Sequence, residues 1–395
     1  MDAAAADRRS RSASATTSSS EPAATVSNHK PRVVIIGSGF AGLRALHGLG
    51  SAQFDITVVD EKNYFEYYPS TLSCLVDPQH ANRTILELKR PGVKFVHERF
   101  TKITSGVVET ASGTTIPFDY CVIATGSRYP EPVKAGSAAA CAGTATSRRR
   151  DLAAYALAIA RAPRIILLGA GPVGVELAAE IAGHFGGEKA VTLRTRGKRI
   201  LEDMDPSASA YAAAWLKSRN VDIVTEYAKG APSDEHGALV IQCYGDGPST
   251  ASGQPIRCSR TMMADLEEEG CAPVFACGDV ADVDGHPVDK VALTAEVQAS
   301  LVVRNILSTE KGAPLARFPE DVCYGRIRLP DVMCVSLHKY DAVMQVNGRI
   351  LRGRLPALVK GMIEQFQLAM ADGNAAAWAI WLTFEKITLF VFSGG

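Results

Sequence analysis

The sequence predicts an α/β fold with two Rossmann-like units, each built on a parallel sheet, followed by a C-terminal α+β domain. Two similar stretches carry this prediction: RVVIIGSGFAGLRALHGL at 32–49 and RIILLGAGPVGVELAAEI at 164–181. Each has a short apolar run typical of a buried strand, then the pattern GxGxxG, then alanines and leucines at helical spacing. This order of strand, tight turn and helix forms a dinucleotide-binding unit, so we expect the chain to bind two dinucleotides.

The three glycines of each motif have separate expected roles. The first makes the tight turn, the second lets the backbone approach a pyrophosphate, and the third allows the helix to pack closely. Backbone N–H groups at the helix N-terminus then hold the phosphates. The residues assigned to nucleotide binding are Gly37, Ser38, Gly39, Phe40, Ala41 and Gly42 in the first unit, and Gly169, Gly171 and Gly174 in the second.

The residue after the second strand of each unit indicates which nucleotide is bound. In the first unit, Asp60 and Glu61 end the run ITVVDE, where a carboxylate accepts hydrogen bonds from ribose hydroxyl groups. In the second unit, the run AVTLRT places Thr195 and Arg196 at this point. A guanidinium pairs with a 2′-phosphate that a carboxylate would repel, which favours NADPH, or either form of the nucleotide. The alternative is that Arg196 and Lys198 only belong to an exposed loop.

Comparison of the two halves reveals an anomaly. The first half runs SGTTIPFDYCVIATG and ends in an apolar strand closed by a small-residue turn. The second half runs SGQPIRCSRTMMADLEEEG after the same Ser-Gly turn and has no such strand before CAPVFACGDV. We therefore expect the second unit to lack one strand.

Composition excludes several classes of function. The formal net charge is zero, so no overall attraction to nucleic acid is expected. The nine cysteines are scattered without a CxxC pair, which argues against a redox disulfide, and the dispersed histidines give no support to a metal site. Residues 1–30 are mostly Ala, Ser, Thr and Arg and predict a disordered tail, with an organelle transit peptide as the alternative.

The C-terminal part combines both kinds of secondary structure. Residues 322–340 are β-rich in character, and LPALVKGMIEQFQLAMA at 355–371 has apolar residues at helical spacing. The last segment, AAAWAIWLTFEKITLFVF, is apolar and aromatic, but Glu385 and Lys386 in its middle make it a poor transmembrane span. Two alternatives remain open: the segment lies in a membrane interface, or it packs on its own domain or at a dimer interface.

Taken together, these residues resemble the flavoprotein oxidoreductases that bind two dinucleotides. Within them, the similarity is to apoptosis-inducing-factor-like ferroptosis suppressor proteins and type II NADH:quinone oxidoreductases. The resemblance covers about 31–346 and rests on GSGFAGL with Asp60, ATGSRYPEPVK at 124–134, GAGPVGVE, VFACGDV at 274–280 and KVALTAEVQASLVVRNI at 290–306. It implies a first unit that binds FAD and a second unit that binds NADH or NADPH.

The resemblance also assigns roles to particular residues. Asp279 of the GD motif is expected to bind the ribityl chain of FAD, and Glu176 to position the nicotinamide ring. Lys134 at the end of the ATGS segment is associated with flavin or quinone reactions. The helix at 290–305 is expected to border the flavin and the quinone. The remaining FAD-binding residues that the motifs imply are Ala124, Thr125, Gly126 and Gly278.

The implied function is transfer of a hydride from NAD(P)H to flavin and of electrons to a quinone or another small acceptor. The alternatives are a non-catalytic FAD-binding interaction protein and, ranked last, a flavin monooxygenase or ferredoxin reductase. A cytoplasmic, membrane-associated location is expected, with a mitochondrial one as alternative, and a homodimer is left open. The predicted segments are the tail (1–30), the FAD-binding domain (31–150 and 269–310), the NAD(P)H-binding domain (151–268) and the C-terminal domain (311–395).

Overall fold

The computed structural model describes residues 29–135, 143–227, 237–266 and 272–393. The predicted tail therefore lies almost wholly outside the described residues. Up to the second glycine motif, the elements are β1 (Arg32–Ile36), α1 (Phe40–Leu49), β2 (Asp55–Asp60), β3 (Tyr64–Glu66), α2 (Thr71–Cys74), α3 (Ala81–Thr84), β4 (Ile85–Glu87), β5 (Val93–His97), β6 (Phe100–Thr104), β7 (Val107–Thr110), β8 (Thr115–Pro117), β9 (Tyr120–Ile123), β10 (Ser127–Arg128) and α4 (Ala145–Arg161).

The second unit and the C-terminal part follow in the chain. The elements of the second unit are β11 (Arg164–Leu168), α5 (Pro172–His184), β12 (Ala190–Arg194), α6 (Pro206–Lys217), β13 (Val221–Val224), β14 (Leu239–Gln242), β15 (Gly247–Pro248) and β16 (Ile256–Cys258). The remaining elements are β17 (Val274–Ala276), β18 (Ala281–Val283), α7 (Ala292–Glu310), β19 (Val332–Ser336), β20 (Ala342–Val346), β21 (Arg349–Gly353), α8 (Arg354–Ala371) and α9 (Ala375–Phe392).

The first parallel sheet has the strand order β17-β9-β1-β2-β5. Its middle strand β1 is a continuous apolar run, and Val33, Val34, Ile35 and Ile36 are at most 2% exposed. Such a run is typical of a parallel strand that is covered on both faces. The helices α1 and α7 pack against each other beside this sheet. The carboxyl ends of β1, β2, β9 and β17 therefore meet at one edge, where the FAD motifs lie.

The second parallel sheet has the strand order β13-β12-β11-β14. In it, β14 pairs with β11 in parallel, with Ile165 opposite Leu239 and Leu168 opposite Gln242. In the first sheet, β9 holds the same position beside β1. The expectation of a missing strand is therefore wrong, because this strand is present as β14. It lies upstream of the stretch near 260–269, where the sequence comparison indicated a gap. It was overlooked because LVIQ is short and is followed by CYGDG rather than by a small-residue turn.

The C-terminal part is a three-stranded antiparallel sheet, β19-β20-β21, with two long helices. The helix predicted at 355–371 is confirmed as α8, whereas the β-rich prediction for 322–340 holds only for β19. In α9 the buried residues are Ala377, Trp378, Trp381, Glu385 and Leu389. Their spacing forms one stripe along the helix, so α9 packs on the protein by one face.

Within the described ranges, α9 alone has the length and apolar composition that a membrane-crossing helix requires, although core helices of soluble proteins meet the same criterion. Polar contacts attach the buried face of α9 to α1 and α7. Arg44 Nη2 in α1 donates to Glu385 Oε1 at 2.6 Å, and Trp381 Nε1 donates to Glu296 Oε2 in α7 at 3.0 Å. The acidic residue that interrupts the apolar segment is thus directed inward, and α9 contacts α1 and α7 through these two side chains.

Candidate functional site

The first glycine motif forms a tight turn with open space above its middle glycine. Gly37 has φ +100°, and a Cβ there would lie 2.4 Å from the carbonyl oxygen of Ala124. A Cβ on Gly42 would lie 1.9 Å from the carbonyl oxygen of Gly37. A Cβ on Gly39, in contrast, would have no heavy atom within 4 Å. The outer glycines are therefore required by the protein itself, while Gly39 leaves room for a phosphate at the start of α1.

The carboxylate at the end of β2 is fixed by hydrogen bonds from this turn. Asp60 Oδ2 accepts from Ser38 N at 2.7 Å and from Ser38 Oγ at 2.6 Å, and Asp60 Oδ1 accepts from Lys62 N at 2.9 Å. The structure thus brings together Ser38 and Asp60, two residues that the sequence assigns to the first nucleotide. Glu61, the other predicted residue, is exposed. Its backbone carbonyl oxygen forms a hydrogen bond with His97 Nε2 at 2.8 Å.

The GD motif and the ATGS segment meet in a second polar cluster. Ser127 Oγ donates to Asp279 Oδ2 at 2.6 Å, and Lys134 Nζ donates to the carbonyl oxygen of Ser127 at 2.6 Å. Burial lowers the pKa of Lys134 to about 8, although the carboxylate of Asp279 opposes this shift. Tyr68 and Tyr129 cover the ammonium, with ring centres 4.9 and 5.4 Å from Nζ. Sequence analysis missed Ser127, which links the two residues that it did identify.

Two buried polar atoms around these motifs indicate that a polar group completes the site. Within the described ranges, Thr125 Oγ1 and Gln298 Nε2 are buried without a hydrogen-bond partner. Gln298 Oε1 accepts from Gly278 N at 2.8 Å, so the amide oxygen holds this side chain at the GD turn while its NH2 group has no partner. Gly126 and Gly278 both have positive φ, at +72° and +79° respectively, and a Cβ on Gly126 would have no heavy atom within 4 Å. Because buried polar groups are normally paired, these residues fit a cofactor with many hydrogen-bonding groups, as FAD has.

The second glycine motif repeats the geometry of the first. Gly169 has φ +105°, a Cβ on Gly174 would lie 1.8 Å from the carbonyl oxygen of Gly169, and a Cβ on Gly171 would have no heavy atom within 4 Å. At the carboxyl end of β12, Arg196 and Lys198 are exposed. The motif can therefore accept a second nucleotide, with two cations beside the expected ribose position.

Glu176 lies in α5, directly after this motif, and is bound to the C-terminal part. Its Oε1 accepts from Ser336 N in β19 at 2.8 Å and contacts Lys360 Nζ in α8. Burial acts to lower the pKa of Lys360, but the neighbouring acidic groups, Glu176 foremost, together outweigh burial and the pKa is raised overall. Sequence analysis missed Lys360; the only available signal was a lysine within the apolar helix pattern of 355–371.

Two glycine turns of the same geometry, each with open space at its middle glycine, define a protein of the type that binds two dinucleotides. The chain belongs to the pyridine nucleotide-disulphide oxidoreductase family, whose model matches residues 31–300. The family binds FAD and uses NADH or NADPH, and these are the cofactor and the reductant of this chain. The predicted α/β fold class and the recognised family are thereby confirmed.

Individual relatives cover most of the chain. It is 24% identical over 351 residues to ferroptosis suppressor protein 1 of Homo sapiens, covering 80% of this chain and 88% of that protein. The fold is similar to that of NDH2 from Plasmodium falciparum in complex with NADH, with a TM-score of 0.68, 12% identity and coverage of 91% and 98%. It is also similar to the sulfide:quinone oxidoreductase from Aquifex aeolicus, with a TM-score of 0.66, 18% identity and coverage of 88% and 92%.

The cysteines in the described ranges are free thiols, seven in number. Cys277 lies directly before the GD motif, and burial raises its pKa, which keeps it in the unreactive thiol form.

Proposed function

We propose that this protein is an NAD(P)H:quinone oxidoreductase. The observation that carries the proposal is the contact between the nucleotide-binding helix α5 and the C-terminal part, through Glu176, Ser336 and Lys360. This contact joins the C-terminal part, whose helices are largely apolar, to the position that we propose for the nicotinamide. A planar apolar acceptor can approach from this side, which suits a quinone better than a charged or protein disulfide substrate. The sulfide:quinone oxidoreductase with a similar fold supports the same acceptor class.

The residues of the chain then have the following proposed roles. The cofactor supplies two-electron transfer between NAD(P)H and the acceptor. Asp60 binds the adenosine ribose, and Asp279, held by Ser127, binds the ribityl chain. Glu176 orients the nicotinamide, and Lys134 donates a hydrogen bond at the flavin or quinone. Each side chain is fixed by contacts of the protein, which limits the reorganisation needed when the nucleotides bind.

The proposal is tested by the absorbance of the purified protein under anaerobic conditions. We expect a bound-flavin spectrum that bleaches on stoichiometric addition of NADH or NADPH and returns on addition of a short-chain ubiquinone. A flavin that stays oxidised with both nucleotides would favour the non-catalytic FAD-binding protein. The structure weakens that alternative, because β14 supplies the strand whose absence motivated it.

Nucleotide preference is predicted to depend on the exposed cations after β12. In the variant Arg196→Ala, we expect the KM for NADPH to rise about tenfold while the KM for NADH changes little, because the guanidinium is proposed to pair with the 2′-phosphate. Arg164→Ala, at the opposite end of the same sheet, is the matched control and should change neither constant. An equal effect of Arg196→Ala on both nucleotides would instead indicate an ordinary exposed loop residue.

We also propose that the protein attaches to a lipid surface through the outer faces of α8 and α9. The exposed apolar side chains there are Leu355, Leu358, Met362, Ile380, Phe384, Ile387, Phe390, Val391 and Phe392. Since Glu385 is buried against Arg44, the helix presents no carboxylate of its own on the outer face, while Lys386 is exposed beside these side chains. This pattern is typical of a helix that lies in the interface plane.

Membrane attachment predicts that Phe384→Ser combined with Ile387→Ser reduces binding to vesicles. Both side chains are about half exposed, and removal of two apolar contacts with lipid should weaken binding by at least about tenfold. Co-sedimentation with vesicles of phosphatidylcholine, with and without phosphatidylserine, measures the effect. Leu157→Ser in α4, at a side chain 49% exposed, is the control. If the wild type and both variants bind vesicles equally, α9 does not contact lipid and only packs on its own domain.

A further inference from the structure

A tyrosine lies close to the carboxyl end of β14, beside the second glycine turn. Tyr244 is 51% exposed, and a Cβ on Gly169 would lie 3.2 Å from Tyr244 Cδ1. The ring therefore borders the turn that follows β11, two residues before the open space at Gly171. The buried core of the second unit includes Cys243 but not Tyr244, so core packing does not explain a large aromatic side chain at this point.

Tyr244 lies where the strand order of the second sheet reverses. In the order β13-β12-β11-β14, the chain runs outward from β11 to β12 and β13, and then returns to the other side of β11 with β14. Dinucleotides bind across the crevice at such a point, outside the carboxyl ends of the strands. Gly169 follows β11 and Tyr244 comes shortly after β14, so these two residues form the two sides of the crevice.

Backbone hydrogen bonds relate this position to one in the first unit. Cys243 N donates to the carbonyl oxygen of Leu168 at 2.8 Å, just as Ala124 N donates to that of Ile36 at 2.8 Å. Leu168 and Ile36 each directly precede the first glycine of a motif. The segment CYG after β14 is therefore the structural counterpart of the segment ATG after β9.

Thr125 and Tyr244 are thus counterparts with very different side chains. Thr125 Oγ1 is buried and has no hydrogen-bond partner among the described residues, which fits a hydroxyl group that binds FAD. In the second unit, the same backbone position carries a half-exposed aromatic ring. Since both positions lie at the crevice of their sheet, we expect this ring to face the second nucleotide.

The neighbouring strands indicate which half of the nucleotide lies at Tyr244. Arg196 follows β12 and marks the expected position of the adenosine ribose, whereas the glycine turn after β11 marks that of the pyrophosphate. β14 lies on the opposite side of β11 from β12. A dinucleotide that begins at β12 and crosses the turn therefore brings its nicotinamide riboside to Tyr244.

The chain after Tyr244 leads directly to the residues assigned to FAD. A Cβ on Gly245 would lie 3.0 Å from Tyr129 Cε2, and the ring of Tyr129 covers the Lys134 ammonium. Shortly afterwards, β15 pairs with β10, which carries Ser127 of the polar cluster at the GD motif. The ring of Tyr244 thus stands between the glycine turn and this cluster, where a nicotinamide has to lie for hydride transfer to a flavin.

We propose that the ring of Tyr244 packs against the nicotinamide riboside of NAD(P)H and binds this half of the nucleotide. The inference rests on the proposed function only in its first step, the binding of NAD(P)H at the second unit, and does not depend on the acceptor. An aromatic side chain offers an apolar face on which a planar heterocycle stacks. The contact is the same for NADH and NADPH, because the 2′-phosphate lies at the other end of the nucleotide.

The variant Tyr244→Ala tests this contact through binding to the FAD-loaded protein. In calorimetric titrations, the Kd for NAD+ should be about tenfold above that of the wild type, as expected for the loss of one stacked ring. ADP lacks the nicotinamide riboside, so its Kd should stay within about twofold. Tyr244→Phe keeps the ring and should bind both ligands as the wild type does. Tyr340→Ala, at a tyrosine 76% exposed between β19 and β20, is the control.

Three further measurements distinguish this role from those of Arg196 and Glu176. The Kd for NADP+ should rise in Tyr244→Ala by the same factor as that for NAD+, unlike the selective effect expected of Arg196→Ala. At saturating NADH, flavin reduction should slow less than about threefold, because a packing contact stabilises the ground state and the transition state alike. In fluorine NMR spectra of the wild type labelled with 3-fluorotyrosine, the resonance that is missing from Tyr244→Phe should shift with NAD+ and much less with ADP.

The outcomes separate the inference from the proposed function. If NAD+ does not bind to the wild type and NADH does not reduce its flavin, the proposed function fails at its first step and the inference fails with it. If NAD+ binds to the wild type and to Tyr244→Ala with the same Kd, or if the Tyr244 resonance does not respond to NAD+, only the inference is wrong. An equal loss of affinity for NAD+ and ADP in Tyr244→Ala would also overturn it, because the ring would then act on the glycine turn itself.

Discussion

Gly39→Ala is expected to give a folded protein that has lost FAD. A Cβ at this position meets no heavy atom of the protein within 4 Å, so the fold should tolerate it. The added methyl group would occupy the space proposed for the pyrophosphate, and overpacking of this kind costs on the order of 1–3 kcal/mol. The ratio of flavin to protein absorbance after purification should fall by about tenfold or more, while the circular dichroism spectrum and Tm of the FAD-free form stay unchanged.

Gly42→Ala is the matched variant, three residues further on. Its Cβ would lie 1.9 Å from the carbonyl oxygen of Gly37, and backbone atoms cannot move away cheaply. We expect a loss of more than about 3 kcal/mol in the free energy of unfolding, with little soluble protein. If Gly39→Ala binds FAD normally, the open space above that glycine is not the phosphate site.

The second glycine motif repeats this contrast for the other nucleotide. Gly171 also has open space at its Cβ position, so Gly171→Ala should retain FAD and lose its reduction by NAD(P)H. Loss of FAD from Gly171→Ala would contradict the assignment of the two units. Because one chain carries both motifs, each serves as the internal control for the other.

The parts of the fold that sequence predicts best are those set by neighbouring residues. The turn at Gly37, the open space at Gly39 and the position of Asp60 at the end of β2 all follow from spacing within one strand, turn and helix. Steric limits on φ and on close backbone approach act over a few residues, and a sequence pattern records them directly. The same holds for α8, whose apolar side chains repeat at helical spacing.

Contacts between distant residues were not predictable in this way. Glu176 and Lys360 are 184 positions apart, and Arg44 and Glu385 are 341 positions apart. No local period encodes such a pair, because it depends on how whole domains pack. The charges in α9 illustrate this limit: the sequence shows Glu385 and Lys386 as interruptions of an apolar segment, but only the structure shows that one is buried against Arg44 and the other exposed.

The strand β14 shows a different limit. The two halves of the chain share a fold, but the connections that lead to the equivalent strands differ in length and content. In the first half, β6, β7 and β8 form an antiparallel sheet before β9. The Ser-Gly turns of the two halves therefore precede elements that are not equivalent. A comparison that starts from these turns passes over β14 and suggests a gap downstream of it.

The ion pair between Glu176 and Lys360 is expected to serve both stability and nucleotide reduction, and a double-mutant cycle separates the two effects. Glu176→Gln keeps an acceptor for Ser336 N but leaves the Lys360 ammonium unpaired, with its side chain 18% exposed. Lys360→Met instead leaves the carboxylate of Glu176 without its cationic partner. Because removal of one partner from a largely buried pair costs about 3 kcal/mol, each single variant should lower the free energy of unfolding by roughly that amount.

The double variant has no unpaired charge, and we expect its loss of stability to be smaller than the sum of the single losses. Flavin reduction by NAD(P)H should respond differently. If the carboxylate of Glu176 orients the nicotinamide, reduction slows about a hundredfold in both Glu176→Gln and the double variant, while Lys360→Met is slowed less. Stopped-flow absorbance, with equal FAD content in all variants, measures this rate.

Glu180→Gln provides the control for this cycle. Glu180 lies one turn further along α5, is also buried, and interacts with Ser73 Oγ at 2.9 Å and His338 Nδ1 at 3.0 Å. Its variant should lose stability without slowing flavin reduction, because its partners are structural. Equal slowing in Glu176→Gln and Glu180→Gln would mean that Glu176 has only a packing role. Loss of FAD from Glu176→Gln would contradict its assignment to the NAD(P)H site. A selective effect of Glu176→Gln, together with a smaller slowing in Lys360→Met, would instead show that the C-terminal part, through Lys360, holds a residue of the NAD(P)H site in place.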